Sequence, residues 1–295
     1  MSNLKILIEK KLEADSAYYN TGHPIMTDAE YDAIENAIKE IDPDHPVLAK
    51  VGHEPSSNWK KASHEIHMGS LNKVHTEEDF RKWASNFPKD TVFIMQPKLD
   101  GSSLSVSYKN EKLAQAVTRG GGGEGEDIKE NVALMKGLPD KILDDISVRC
   151  EMMLPKDMLE QINSVLPENK HYKNPRNAAS GISRRLDGYL CKYLALVAYD
   201  LVVWPGTLAT EAESFNEDEK IKLLKKYGFR TPEQTIGNVD EMVGAYKTWK
   251  DMREDYPFGI DGVVIKVNSW QTQVEAGMVD NRPKGQIAWK FDPPG

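Results

Sequence analysis

The sequence predicts an α+β fold with mainly antiparallel sheets, and two features of its apolar pattern support this prediction. Near the N-terminus, apolar residues recur at helical spacing, which predicts helices over residues 4–20 and 27–41. From residue 91 onward apolar and polar residues alternate, and segments 104–108 and 113–118 flank a short polar turn typical of a hairpin. Hairpins interspersed with helices favour antiparallel sheets over repeated parallel units.

The second predicted helix begins at a capping sequence, with Thr27 followed three residues later by Glu30. The same patterns predict the remaining elements. The further helices are 76–86, 126–136, 156–165, 217–227 and 239–252, and the further strands are 91–96, 147–154, 194–203, 262–267 and 286–291. This order places a small helical unit before a larger mixed one.

Composition narrows the class of protein. Of the 295 residues, 39% are hydrophobic and 28% are charged, a balance typical of globular rather than disordered chains. No apolar run approaches the roughly 18 residues that span a bilayer, and the N-terminus lacks a signal peptide's apolar stretch, so we expect a cytoplasmic protein. The net charge of −8 argues against tight duplex binding by this chain alone. Its two cysteines are too few for a four-cysteine zinc site and are predicted to be buried thiols.

Lys98 is the first candidate for chemistry, because Lys98-Leu99-Asp100-Gly101 directly follows a predicted strand. A lysine at a strand end can project into a cleft. Lysine amines have an ordinary pKa of about 10.4, so a nucleophilic lysine needs burial or nearby cations that favour its neutral form. Alone, this tetrapeptide is equally typical of a turn.

Two further lysines lie inside apolar strands, Lys266 in the segment 261–267 and Lys290 in the segment 287–291. Each alone is explained by an edge strand or by a long side chain that reaches solvent. Together with Lys98 and Arg119, they could instead line one pocket for an anion. The sequence leaves both interpretations open.

Glu151 and a run of glycines are the remaining candidates for a functional site. Glu151 is a carboxylate in an apolar strand, either a satisfied core charge or an acceptor for ribose hydroxyls. Gly120, Gly122 and Gly125 match the dinucleotide-binding pattern of a parallel strand–helix–strand unit. The preceding strand is the second arm of a hairpin, so we predict that this match is accidental.

In this order, the motifs resemble the bacterial-type NAD⁺-dependent DNA ligase family. The resemblance runs from about Tyr18 to Phe291, and its specificity comes from several separated segments rather than from any single one. They are Tyr18–Asp32, His67–Asn72, Lys98–Gly101, Thr118–Asn131, Asn174–Asp187 and the two strands that contain Lys266 and Lys290.

The resemblance implies a fold and an activity. Residues 1–60 would form a helical domain that recognises the nicotinamide mononucleotide (NMN) half of NAD⁺. Residues 61–295 would form an ATP-grasp-like DNA-ligase nucleotidyltransferase domain with mainly antiparallel sheets. Lys98 would take AMP from NAD⁺ in the presence of Mg²⁺, as the first step of sealing nicked DNA in replication and repair.

The resemblance also implies residue roles. Catalytic positions fall on Lys98, Asp100, Glu151, Lys266 and Lys290. Cofactor positions fall on Tyr18, Tyr19, Asp28, Tyr31, Asp32, Ser70, Leu71, Gln96, Arg119, Glu151, Arg253, Lys266 and Lys290, and DNA positions fall on Arg176 and Arg184. The sequence departs from the family at two of them: Gln96 replaces the usual glutamate and Tyr19 the usual histidine.

Full ligases of this family continue beyond the position of residue 295 into an oligonucleotide-binding fold, a four-cysteine zinc module, helix-hairpin-helix motifs and usually a BRCT domain, so we expect these modules in a longer chain or in a second subunit. Two other functions remain possible at this point. One is an ATP-dependent nucleotidyltransferase such as an RNA ligase, against which the segment Tyr18–Asp32 argues. The other is a non-catalytic NAD⁺-binding subunit of a split ligase, against which the retained Lys98, Glu151, Lys266 and Lys290 argue.

Overall fold

The computed structural model describes residues 3–16, 25–48, 59–64, 68–203, 215–280 and 282–292. The helices are α1 (Asn3–Ser16), α2 (Asp28–Ile41), α3 (Glu77–Ala84), α4 (Lys129–Val132), α5 (Leu159–Ser164), α6 (Pro175–Ser183), α7 (Glu217–Tyr227), α8 (Val239–Met252) and α9 (Trp270–Ala276). The strands are β1 (Lys61–Ser63), β2 (Asn72–Val74), β3 (Phe93–Leu99), β4 (Ser102–Lys109), β5 (Lys112–Thr118), β6 (Glu124–Glu126), β7 (Ile146–Met153), β8 (Ala195–Val203), β9 (Thr235–Gly237), β10 (Ile260–Val267), β11 (Met278–Val279), β12 (Arg282–Pro283) and β13 (Gln286–Lys290).

Two sheets organise the molecule, and the predicted α+β class with mainly antiparallel pairing is confirmed. One sheet has the order β5-β4-β7-β8 and is antiparallel throughout. The other has the order β2-β13-β10-β3-β9, and its β2–β13 pair is parallel. Asp100 and Gly101 alone separate β3 from β4, so the chain passes from one sheet to the other within two residues.

The five-stranded sheet has one apolar and one polar face, because successive side chains of a strand point to opposite sides. Met95, Val263 and Trp289 are buried in a core that α3 and α8 cover. Trp289 stacks on Tyr246 of α8 with ring centroids 3.7 Å apart. The alternate residues of β3, β10 and β13 therefore face away from this core.

The four-stranded sheet follows the same rule with its own core. Leu104, Cys150 and Met152 are buried in a second apolar cluster, which includes residues of α6 and α7 as well as Ile8 of α1 and Ile38 of α2. Both cysteines are buried thiols without a disulfide, as predicted. Each sheet thus turns its polar face away from its own core.

The helices α1 and α2 pack against each other around a buried lysine. Lys11 is 1% exposed, and its Nζ lies 3.0 Å from Asp15 and 3.2 Å from Glu35. Thr27 caps α2 by accepting a hydrogen bond from the Glu30 amide, as its sequence predicts. The division into domains at residue 60 remains a prediction.

The structure also corrects several predicted elements. The helix predicted over 126–136 is only the short α4, because Glu126 pairs in β6 and the Ile128 amide donates to Ala116 of β5. The glycine run leads from β5 into β6, and β6 pairs antiparallel with β1 rather than in a parallel strand–helix–strand unit. Residues 17–20 of the first predicted helix lie outside the described residues. Within the described ranges, no helix is long and apolar enough to cross a membrane.

Candidate active site

Lys98 lies near the end of β3, on the polar face of the five-stranded sheet. Its Nζ is 3.4 Å from Asp261 Oδ1 in the neighbouring strand β10. The Nζ of Lys290, in β13, lies 2.6 Å from the other oxygen of the same carboxylate. Two amines from strands on either side of β10 therefore share one carboxylate.

The charge state of Asp261 follows from these two neighbours. Partial burial alone would raise the pKa of this carboxyl group, but the positive charges of Lys98 and Lys290 outweigh burial and hold the pKa below its ordinary value. Asp261 is thus an anion between two cations. An incoming phosphate would offer the same amines a second anionic partner.

Glu151 faces Lys98 from the four-stranded sheet. One of its oxygens accepts a hydrogen bond from the Ser103 hydroxyl, and the other accepts one from the Gly101 amide at 3.2 Å. Burial raises the pKa of Glu151 to about 7, although these hydrogen bonds and the charge of Lys98 favour the ionised form. A carboxyl group in this state can donate or accept a hydrogen bond near neutral pH.

A cavity of about 420 Å³ lies between the polar faces of the two sheets. Most of its lining is polar or charged. The lining residues are Gly69, Ser70, Leu71, Lys73, Gln96, Pro97, Lys98, Leu99, Ser103, Arg119, Arg149, Glu151, Arg176, Tyr199, Asp200, Asp261, Val264, Lys266, Gln286, Ala288 and Lys290. The alternation of β3, β10 and β13 explains how Gln96, Lys266 and Lys290 reach it together.

Three arginines extend the basic lining toward a second, adjoining cavity of about 750 Å³. Arg119 lines both cavities and donates a hydrogen bond to the Ser70 hydroxyl at 2.8 Å. Arg176 of α6 lies 3.5 Å from Asp100, and Arg184 forms a two-point contact with Glu126 of β6. The cavity near Lys98 thus continues into a cleft lined by charged side chains.

The structure brings together most of the residues singled out from the sequence. Ser70, Leu71, Gln96, Lys98, Arg119, Glu151, Arg176, Lys266 and Lys290 line the smaller cavity, and Arg184 lines the adjoining one. Asp100 is the partner of Arg176 at the junction between β3 and β4. Arg253 lies elsewhere, donating to the backbone carbonyls of Ile260 and Asp292, and it lines neither cavity.

The residues expected to recognise NMN are only partly described. Tyr18 and Tyr19 lie outside the described residues, and Asp28 is known only as the first residue of α2. Asp32 is exposed on α2. Tyr31 donates its hydroxyl to Asp15 at 2.6 Å and accepts a hydrogen bond from Lys11. Of this set, the two residues whose side chains are described, Tyr31 and Asp32, line neither cavity.

Sequence reasoning missed several cavity residues, above all Asp261, Ser103 and Tyr199. Asp261 precedes Gly262 and has the appearance of a turn residue, although it sits inside β10. The Ser103–Glu151 contact was detectable only from the pairing of β4 with β7. Tyr199 adds an aromatic side chain to the lining of the cavity.

The geometry defines a class of protein: an α+β fold whose two sheets enclose a cavity lined by lysines and arginines and suited to an anion. Residues 56–294 match the model of the NAD-dependent DNA ligase adenylation domain. The chain belongs to this family.

Curated relatives agree with the family match. A DNA ligase of Sorangium cellulosum is 34% identical over 317 residues, which cover 97% of this chain and 45% of that protein. DNA ligases of Psychrobacter cryohalolentis and Oceanobacillus iheyensis are 32% and 30% identical, covering 99% and 98% of this chain and 45% of each relative. The chain therefore spans about half the length of the curated relatives it matches.

Proposed function

We propose that this chain performs the first step of NAD⁺-dependent DNA ligation, the transfer of AMP from NAD⁺ to Lys98. The Nζ of Lys98 attacks the phosphorus of the adenylyl group, a phosphorus–nitrogen bond forms, and the bond to the phosphate of NMN breaks. The ammonium group gives up one proton before attack and a second when the new bond forms, with Asp261, 3.4 Å from Nζ, and solvent as the acceptors. NMN leaves with the bridging oxygen. The observation that supports this proposal is the convergence of Lys98, Lys266 and Lys290 on one cavity.

The side chains that line the cavity suit the three parts of an adenylate, which are its phosphate, its ribose and its base. Lys290, Lys266 and Arg119 provide the cations that stabilise charge on the phosphate during attack. Glu151 can bond a ribose hydroxyl, and the Tyr199 ring can stack on the base. Gln96 can accept a hydrogen bond from the adenine amino group through its amide oxygen. Asp100 holds Arg176 beside the cavity.

Mg²⁺ is the metal we propose for the reaction. Within the described part of the chain, no cluster of three or more acidic, histidine or cysteine side chains could hold a metal. Mg²⁺ commonly binds one or two carboxylates together with substrate phosphates, and the cavity fits that pattern. Asp261 Oδ1 is buried and accepts no hydrogen bond, its nearest partner being Lys98 Nζ at 3.4 Å. Asp261 would hold the ion together with the substrate phosphate, whose charge the ion would offset.

The remaining assignments extend the proposal beyond the cavity. Tyr18, Tyr19, Asp28, Tyr31 and Asp32 would recognise the NMN half of NAD⁺, and Arg253 would contribute to cofactor binding. Arg176 and Arg184 would bind phosphates of the nicked duplex next to Lys98. The domains that bind the DNA duplex would come from a longer chain or from a second subunit.

The test is self-adenylation observed by intact-protein mass spectrometry. The chain is incubated with Mg²⁺ and either NAD⁺ or ATP, and we expect one AMP to be added with NAD⁺ only. Lys98→Ala should abolish labelling, whereas Lys89→Ala, which replaces an exposed lysine outside both cavities, should leave it intact. Lys266→Ala should slow it by about 100-fold because a fixed positive charge is lost.

The other outcomes would identify the alternatives. Labelling by ATP alone would indicate an ATP-dependent nucleotidyltransferase. Absence of labelling with either nucleotide would indicate a non-catalytic subunit. Labelling that survives in Lys98→Ala would contradict the assignment of the nucleophile.

A further inference from the structure

Lys266 is the most buried of the four lysines that line the smaller cavity, and it has a partner of its own. It is 5% exposed, and its Nζ lies 3.6 Å from Oε2 of Glu217, the first residue of α7. Glu217 is itself only 6% exposed. A buried ammonium group needs an opposite charge nearby, because burial removes the water that would otherwise stabilise it.

Glu217 is held in place from three sides. Its Oε1 accepts a hydrogen bond from Gln273 of α9 at 2.9 Å and lies 3.5 Å from Lys220 Nζ. Its backbone amide donates to the carbonyl of Asn268 at 3.0 Å. With one oxygen occupied in this way, the other is directed at Lys266. The carboxylate therefore has a fixed position relative to β10.

A second acidic residue balances the cluster. Lys220 Nζ lies 3.5 Å from Asp200 of β8, which lines the cavity from the four-stranded sheet. Burial alone would raise the pKa of Asp200, but Lys220, Lys266 and Arg149 outweigh it and lower the pKa to about 2. Two carboxylates and two ammonium groups, with Arg149 close to Asp200, thus form a largely buried cluster of charges. Through α7, this cluster connects β8 of one sheet with β10 of the other.

We propose that Glu217 is a positioning residue that holds the ammonium group of Lys266 in the cavity, and that Lys220, Asp200 and Gln273 in turn fix Glu217. This inference rests on the proposed adenylation of Lys98. Without the carboxylate, the Lys266 side chain loses the contact that fixes its end, and a misplaced cation stabilises the reacting phosphate less well.

The test separates charge from shape at position 217. Glu217→Gln keeps the size and the hydrogen-bonding capacity but removes the charge, whereas Glu217→Asp keeps the charge and removes a methylene group. We expect the single-turnover rate of self-adenylation at saturating NAD⁺ to fall about tenfold or more in Glu217→Gln. Glu217→Asp should retain more of the rate than Glu217→Gln. A purely structural role predicts the opposite order, because the glutamine variant leaves no void.

Controls keep the result interpretable. Glu219→Gln makes the same change at an exposed position two residues away and should match the unmodified chain. If Glu217→Gln does not fold, Gln273→Leu replaces it, because this change frees Glu217 without removing its charge. We then expect slower adenylation than in Gln271→Leu, which alters an exposed residue of the same helix.

Each remaining outcome overturns the inference. If Glu217→Gln is adenylated as fast as Glu217→Asp or faster, the charge of Glu217 does not position Lys266. If Gln273→Leu is adenylated as fast as Gln271→Leu, fixing Glu217 does not affect the reaction. If the unmodified chain takes no AMP from NAD⁺, the proposed function fails and this inference fails with it. If the unmodified chain is labelled and the position-217 variants match it, only this inference fails.

Discussion

Glu151 combines burial with a position beside Lys98, and its ionisation should therefore be coupled to folding. Its pKa in the folded chain is about 7, above the ordinary value, so its neutral form is the one that folding favours. Below the ordinary pKa the carboxyl group is neutral in both states. As the pH rises toward the folded value, only the unfolded state ionises freely, and stability is lost.

We predict that Glu151→Gln removes this pH dependence. The melting temperature of the variant, relative to that of the unmodified chain, should rise between pH 5 and pH 8, equivalent to about 1–3 kcal/mol in the free energy of unfolding. Glu160→Gln, an exposed change on α5, should show no such trend. A difference between Glu151→Gln and the unmodified chain that stays constant over this range would contradict the prediction.

Some residues of the cavity could be predicted from the sequence and others could not. Lys266 and Lys290 could be singled out because a charged residue interrupts an apolar strand. Tyr199 could not, because its orientation depends on a β-bulge: Arg149 pairs with Asp200 while Cys150 pairs with Ala198, which leaves Tyr199 as the extra residue. A bulge shifts the alternation of a strand by one residue, and no local pattern marks its position.

At the scale of elements, the connection between β3 and β4 depends on a glycine. A Cβ atom at Gly101 would lie 2.2 Å from the carbonyl oxygen of Met152 and 2.5 Å from the sulfur of Met153. The backbone of the connection is therefore in direct contact with β7 of the four-stranded sheet. Only a residue without a side chain permits this approach.

We predict that Gly101→Ala destabilises the chain by about 1–3 kcal/mol, because the added methyl group would push the connection away from the backbone of β7. Gly244→Ala provides the matched control. Nothing lies within 4 Å of a Cβ atom at this exposed position of α8, so the same substitution should stabilise the chain by up to about 1 kcal/mol through better helix propensity. Chemical denaturation measures both effects, and equal effects of the two changes would refute the prediction.

A helix could be predicted from the sequence when its apolar residues recur regularly at helical spacing. The predicted helices 217–227 and 239–252 coincide with α7 and α8, whose apolar positions recur at helical spacing. The helix α6 was not predicted, because Pro175 begins it and small residues and Gly181 weaken its apolar pattern. Its N-cap, Asn174, accepts a hydrogen bond from the Asn177 amide, which is a signal that the sequence does contain.

At the scale of the whole molecule, the charge distribution limits what the chain can bind alone. The net charge is −8, and the two arginines proposed to bind DNA phosphates already contact carboxylates, Arg176 with Asp100 and Arg184 with Glu126. A duplex would have to compete with these partners, and few counterions would be released in exchange.

We therefore predict that nicked duplex DNA binds this chain with a dissociation constant above about 1 μM at physiological salt. Fluorescence anisotropy with a labelled nicked duplex measures this constant. Sealing of the same duplex should be correspondingly inefficient, whereas Lys98 should still accept AMP. Nanomolar binding, or rapid sealing by the chain alone, would disprove this prediction.

The two-residue passage from β3 to β4 has a mechanical consequence for Lys98. Asp100 and Gly101 leave too little chain for the adjoining ends of β3 and β4 to move far apart, and Lys98 is the second residue before this connection. Lys290 and Tyr199 are joined to it only through longer stretches of chain. The lysine proposed to accept AMP thus stands where the two sheets have the least freedom to shift against each other.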